Sequence, residues 1–188
     1  MPFEDLIRAW SFDRSRSVIL GQMAQNVALF EAMRRSRLQA VVPTHELAAA
    51  FMAGAYFRAC GRPGILATIP GPGLAYTIAG LAEAKLDSAA VVYLLHAPAS
   101  GIRPGFGPQA IDQHALLAPV TKAILTARQL DEIPDLARRA YALSLSGEPG
   151  PVVLELAVDA PSDHMRVRHA TPHSTSTNDD AGRVWRRI

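Results

Sequence analysis

The side chain best placed to do chemistry is a glutamate. In Pro43-Thr44-His45-Glu46-Leu47-Ala48-Ala49-Ala50-Phe51-Met52-Ala53-Gly54-Ala55-Tyr56, a β-branched run gives way to small, helix-forming residues. Thr44 reads as the helix N-cap. That puts Glu46 in the first turn at the carboxyl edge of a parallel sheet, where open α/β sheets bind ligands. A carboxylate there could share a proton with a ligand. It could equally do no more than complement the helix dipole, worth about 0.3–1 kcal/mol, and on spacing alone this second reading is the better one. Ala48, Ala49, Ala53, Gly54 and Ala55 let another backbone approach closely, either at an interface or inside an ordinary alanine-rich buried helix.

Two loops complete the set. Ile69-Pro70-Gly71-Pro72-Gly73 follows an apolar run and precedes a helical one, so its backbone forms a rigid turn able to lie close to a ligand. It lacks the third glycine of a dinucleotide fingerprint and the Gly-Lys-Ser/Thr ending of a P-loop. The stretch from Ala97 to Pro108, rich in glycine and proline, leads into Gln109, Asp112, Gln113 and His114. Loops of this length at a sheet edge are often binding loops, while His114 itself reads as a surface helix residue. Nucleophilic catalysis finds little: Cys60 has no evident base, and no Gly-x-Ser-x-Gly elbow occurs.

These residues need a scaffold, and the pattern of the chain supplies one. Apolar runs at Ser17 to Leu20, Leu38 to Pro43, Gly64 to Ile69, Ala89 to Leu95, Lys122 to Thr126 and Pro151 to Ala157 read as strands. Several are apolar at consecutive positions, which means burial on both faces. Helical spacing occupies Glu4 to Trp10, Gln25 to Arg35, His45 to Cys60, Leu74 to Leu86, Ile111 to Ala118 and Leu130 to Leu145. Gly61-Arg62-Pro63-Gly64 and Gly147-Glu148-Pro149-Gly150-Pro151 punctuate two helix-to-strand junctions. Alternation of this kind is the sequence form of an α/β domain with a mainly parallel sheet.

Composition narrows the function. The chain has 188 residues, 19 Lys and Arg against 17 Asp and Glu, and one cysteine. Residues 162–188 hold five Arg and three Asp, so the net charge of +2 belongs to the tail and the body is neutral. No basic stripe interleaved with aromatics marks a nucleic-acid groove. The acidic start and the lack of a long apolar run speak against a signal peptide or a membrane span, and a cytoplasmic protein is expected. The tail, polar from His169 to Asp180, is expected to be disordered. Its histidines, His164, His169 and His173, sit in coil that would fix no metal geometry.

Taken in order, His45-Glu46 with Ala50-x-Met52-Ala53, Gly61-Arg62-Pro63-Gly64, Gly71-Pro72-Gly73, Gly80-Leu81-Ala82-Glu83-Ala84 with Asp87-Ser88, Gln109 with Asp112, Pro119-Val120-Thr121-Lys122, and Gly150-Pro151-Val152 with Asp159 form a recognisable set. From about Leu20 to Pro161 the chain resembles the N-terminal pyrimidine-binding domain of acetolactate-synthase-like thiamine diphosphate enzymes. The resemblance implies a three-layer α/β/α open sheet of six mainly parallel strands over residues 1–161, followed by the tail 162–188. It makes Glu46 the catalytic residue, accepting a hydrogen bond from a ring nitrogen of the cofactor's aminopyrimidine. That contact favours the imino tautomer, whose exocyclic nitrogen takes the thiazolium proton and so opens the attack on a 2-oxo acid. Gly71, Pro72 and Tyr76 fall at cofactor-binding positions, and Gln109 at one that reaches toward the substrate.

Departures refine the expectation. Tyr76 stands where relatives carry Asn, Leu20-Gly21-Gln22-Met23 replaces Gly-x-Pro-Gly, and Pro108 replaces Phe. The paired histidines of the pyruvate-decarboxylase branch are missing before Gln109. No Gly-Asp-Gly segment is present to hold magnesium and the diphosphate, so Mg2+ is expected on a diphosphate-binding domain or subunit. The expectation is therefore the pyrimidine half-site of a 2-oxo acid decarboxylase or carboligase, inactive alone and assembled as a homo- or hetero-oligomer, with no metal ligand of its own. Alternatives are the alpha subunit of a sulfopyruvate- or phosphonopyruvate-type decarboxylase, a fragment of a full-length enzyme, and a non-catalytic relative kept for assembly or regulation.

Overall fold

A computed structural model of the chain describes residues 18–20, 29, 33, 35, 39–97 and 109–157. The helix expected at 4–10, most of that at 25–35, the loop after Leu20, the segment 98–108 and the tail lie outside the described residues. The six expected strands are present: β1 (Val18–Leu20), β2 (Gln39–Val41), β3 (Gly64–Thr68), β4 (Val91–His96), β5 (Ala123–Ala127) and β6 (Pro151–Leu156). They form one sheet in the order β2-β1-β3-β4-β6-β5, and every pair is parallel. The helices are α1 (Glu46–Cys60), α2 (Pro72–Leu86), α3 (Gln113–Leu117) and α4 (Ile133–Leu145), with 3-10 turns at Ala118–Val120 and Leu130–Glu132.

Direction of travel along the sheet decides which face each helix covers. The connections β2 to β3, β3 to β4 and β4 to β5 all move toward the β5 edge, and they carry α1, α2 and α3. Those helices pack on the face formed by Leu66, Val91, Tyr93, Leu95 and Val153. The connections β1 to β2 and β5 to β6 move back. Their helical residues, Leu29 and Met33 in one and Ile133, Ala137 and Ala140 in the other, pack on the opposite face with Ile65, Val92, Leu94, Val152 and Leu154. One handedness of crossover throughout produces this sorting. Because strands β3, β4 and β6 are covered on both faces, their residues are buried at nearly every position, which is why they read as mostly apolar runs.

Helix ends follow local chemistry. Gly61 terminates α1 in the left-handed conformation at φ 70°, with its N–H on Phe57 O at 2.7 Å. Helix α2 begins at Pro72, two residues before its apolar periodicity does, because a proline at the first position gives up an N–H that has no helical acceptor. Lys122 Nζ donates to the carbonyls of Leu143, Ser146 and Glu148 at 2.6–2.9 Å, fastening the end of α4 to β5. The Pro119-Val120-Thr121-Lys122 stretch is thereby structural.

Small residues set the spacing of α1 and α2. A Cβ placed on Gly80 would lie 2.6 Å from Ala50 Cβ and 2.9 Å from α1 backbone, whereas one on Gly54 would first meet Ala84 Cβ at 3.6 Å. The small face of α1 is thus filled by α2 of the same chain, with Ala49, Ala50, Ala53 and Gly54 buried. Alanine has a helix propensity about 1 kcal/mol better than glycine, and only Gly54 has room to realise it. Gly54→Ala should raise stability by about 0.5–1 kcal/mol, while Gly80→Ala should lower it by about 1–3 kcal/mol through overpacking. Equal effects of the two in denaturant unfolding would contradict this packing.

Burial also acts on His96 at the end of β4, holding its imidazole below the ordinary value of 6.5. The folded state then favours the neutral ring. Its contribution to stability is full above about pH 6.5 and is lost as pH falls through the folded-state value. Ring NMR should give a His96 titration midpoint below 6.5; a midpoint at or above it would count against the burial.

Candidate functional site

Since α1, α2 and α3 lie on one face and follow β2, β3 and β4 of a parallel sheet, their N-termini all open at its carboxyl edge. Glu46 is the first residue of α1. The N-cap is His45 and not Thr44: His45 is extended (φ −148°, ψ 138°), and its Nδ1 accepts the Leu47 N–H at 3.1 Å. A Thr44 cap would serve only a helix starting one residue sooner. The His45 ring also meets the Tyr76 ring edge-on, with centroids 4.6 Å apart and planes at 63°. This places Tyr76, on α2 and 53% exposed, beside the start of α1.

Glu46 is only 8% exposed. Among the described residues none donates a hydrogen bond to its carboxylate. A Cβ on Gly73 would strike Ile69 Cγ1 at 2.6 Å and stand 3.5 Å from Glu46 Oε1, so the missing side chain lets Ile69 and the Glu46 carboxylate both lie close to the backbone of α2. Beneath lies Tyr93, fully buried, its hydroxyl 2.5 Å from Thr68 Oγ1. Burial holds that phenol far above its ordinary range, and the Glu46 charge adds to the effect. Further along α1, Leu47, Phe51 and Met52 are exposed apolar side chains. A carboxylate without a donor, lying close to glycine backbone, suits a ligand that offers an N–H. It does not suit a phosphate, whose charge it would repel. Among the described residues, no group of three or more His, Cys, Asp and Glu could hold a metal ion.

Gly71 and Gln109 are wedged together. Gly71 has φ 67°, and the space of its missing Cβ is taken by Gln109, whose Cα and carbonyl oxygen would each lie 2.6 Å from it. The glycine of this turn therefore admits the chain's own backbone. Gln109 is also left-handed, at φ 65°, a conformation that costs an ordinary residue about 1–2 kcal/mol and that gathers at functional sites. Through these contacts Glu46, Gly71, Pro72, Tyr76 and Gln109 share one corner.

Sequence reasoning missed a buried polar cluster beside that corner. Gln113, 3% exposed, accepts the Gly71 N–H on Oε1 at 3.3 Å, and its Nε2 donates to His96 O at 3.1 Å and to Glu155 Oε1 at 3.4 Å. Glu155, 5% exposed, also accepts from Thr126 Oγ1 at 2.9 Å and lies 2.9 Å from His114 Nε2. The signal was a single charge inside Val152-Val153-Leu154-Glu155-Leu156, a strand otherwise apolar. His114 is mostly exposed, as read from the sequence, yet its ring reaches this carboxylate. Asp112 is accounted for as the α3 cap, its Oδ1 accepting the Ala115 N–H at 2.9 Å. Cys60, exposed, points its thiol at Tyr56 O.

Comparison with known proteins agrees with this geometry. Residues 12–116 match the family described as thiamine pyrophosphate enzyme, N-terminal TPP binding domain. The chain is 33% identical over 136 residues to the acetolactate synthase isozyme 3 large subunit of Escherichia coli, covering 72% of this chain and 24% of that protein. It is 31% identical over 156 residues to 2-hydroxyacyl-CoA lyase 2 of Mus musculus, covering 83% and 25%. A probable 2-ketoarginine decarboxylase of Pseudomonas aeruginosa is 32% identical over 134 residues, covering 70% and 24%. The chain thus spans about a quarter of the length of these relatives. It belongs to the thiamine pyrophosphate enzyme family and corresponds to the N-terminal domain of that family.

Proposed function

We propose that this chain supplies the pyrimidine half of the active site of a thiamine diphosphate-dependent enzyme acting on a 2-oxo acid, as a decarboxylase or carboligase. The observation that carries the reading is Glu46, a residue 8% exposed whose carboxylate has no hydrogen-bond donor among the described residues. The carboxylate oxygens are not sealed from the surface, so a ligand N–H can reach them and supply the donor that the described residues do not. Glu46 would hold the protonated ring nitrogen of the aminopyrimidine and share that proton with it. The Gly71-Pro72 turn lies alongside the ring, Tyr76 forms a wall at the opening, and Gln109 faces the reacting substrate. When bound, the cofactor supplies an electron sink for the carbanion that loss of carbon dioxide creates.

The diphosphate and its magnesium ion fall to another domain or subunit, in keeping with a chain that spans about a quarter of its relatives. Leu47, Phe51, Met52 and Tyr76 are exposed apolar side chains of α1 and α2 that the second half would cover. A 2-oxo acid substrate is supported by the name of one relative, a probable 2-ketoarginine decarboxylase. The substrate's identity within that class depends on side chains of the second half.

Glu46→Gln tests the assignment in the enzyme assembled with its diphosphate-binding half. The amide keeps the shape of the carboxylate, so unfolding stability should stay within about 0.5 kcal/mol. Turnover of the 2-oxo acid should fall by about 100-fold or more, as expected for loss of a positioned acid–base group. Wild-type turnover in that variant would overturn the role of Glu46.

A further inference from the structure

Gln113 sits between two acceptors and one donor, and that arrangement determines which way its amide points. The His96 carbonyl and the Glu155 carboxylate both only accept, so they demand the Nε2 end. Oε1 is left facing the Gly71 N–H. Glu155 is in turn held by the Thr126 hydroxyl, directly across the β5–β6 ladder, and by the His114 ring. A charge on a buried strand is costly unless such partners satisfy it, and satisfying it orients the glutamine.

From this geometry we infer that Gln113, oriented by Glu155, is a positioning residue of the site: it fixes the Gly71 turn and, through the wedged backbone contact, Gln109. The inference rests on the thiamine diphosphate reading for what the site holds, but the tie itself belongs to this chain. Gly71 carries the pyrimidine side of the corner and Gln109 the substrate side. Both have positive φ, at 67° and 65°, and the backbone of Gln109 fills the space beside Gly71. Gln113 is four residues beyond Gln109 and bonds directly to Gly71, so one amide couples the two arms. Its own orientation is anchored on β6, a strand that carries neither of them.

Amide hydrogen exchange at Gly71, followed by NMR in the full 188-residue chain, reads this tie without any ligand. Gln113→Glu is isosteric but turns an acceptor toward Glu155 and the His96 carbonyl. It should speed Gly71 exchange roughly tenfold, the effect of losing about one hydrogen bond, while β3 and β4 amides stay protected. Glu155→Leu should do the same. Glu155→Gln should leave Gly71 protected, because its amide oxygen still accepts from Gln113 while its NH2 donates to Thr126 and His114, both able to accept. Unchanged Gly71 exchange in Gln113→Glu and Glu155→Leu, or an equal rise at β3 and β4 amides, would overturn the inference. So would Glu155→Gln behaving like Glu155→Leu. In the assembled enzyme, Gln113→Glu should weaken binding of thiamine diphosphate with magnesium by roughly tenfold or more. Full affinity in that variant would also overturn the positioning role. If the wild-type assembly took up no cofactor while Gly71 exchange responded as described, the tie would stand and the thiamine diphosphate reading would fall.

Discussion

The depth to which α1 sinks against α2 is the constraint on which the rest of the site depends. Gly80 admits Ala50, and the bare backbone of Gly64 admits the Ala53 carbonyl, so the helix lies against both its neighbour helix and β3. Only at that depth does Glu46 come to rest over Gly73 with little of its surface exposed. A larger residue at either contact would lift the start of α1, and the carboxylate would return to water. There it would be an ordinary first-turn glutamate. Surface ion pairs of Arg58 with Glu83 and Asp87 tie the same two helices, but pairs this exposed contribute little beside the packing.

Two buried carboxylates, Glu46 and Glu155, therefore sit at one sheet edge with opposite surroundings. Glu155 is met by an amide, a hydroxyl and an imidazole. Its charge is satisfied inside the chain, and its effect is to orient Gln113. Glu46 finds no donor among the described residues, and its oxygens are not sealed from the surface. A fold that satisfies one carboxylate so fully and leaves the other open has separated positioning from chemistry. This contrast, more than either residue alone, supports the proposal that Glu46 is the group that meets a ligand.

Much of the scaffold was legible in the sequence because burial on both faces of a parallel sheet leaves mostly apolar runs, as at Gly64–Thr68 and Pro151–Leu156. The turn at Gly71 was legible from its glycines and prolines, although the backbone it admits is that of Gln109. The start of α1 was misread by one residue, because an imidazole took the capping role more often filled by a hydroxyl. The Gln113–Glu155 contact was not legible. Its members are 42 residues apart and meet only because β6 inserts between β4 and β5, an order that local pattern does not encode. Glu155 was visible as a lone charge in an apolar strand, but its partners were not.

The central claim is that the Glu46 carboxylate takes its missing donor from the aminopyrimidine of thiamine diphosphate. Carboxyl carbon NMR tests it most directly, with glutamate labelled at Cδ in the enzyme assembled from this chain and its diphosphate-binding half. On addition of thiamine diphosphate with magnesium, the account predicts a shift of the Glu46 resonance as the carboxylate begins to share a proton, with the Glu155 resonance unmoved. A saturated complex in which the Glu46 resonance stays where it was would contradict the account.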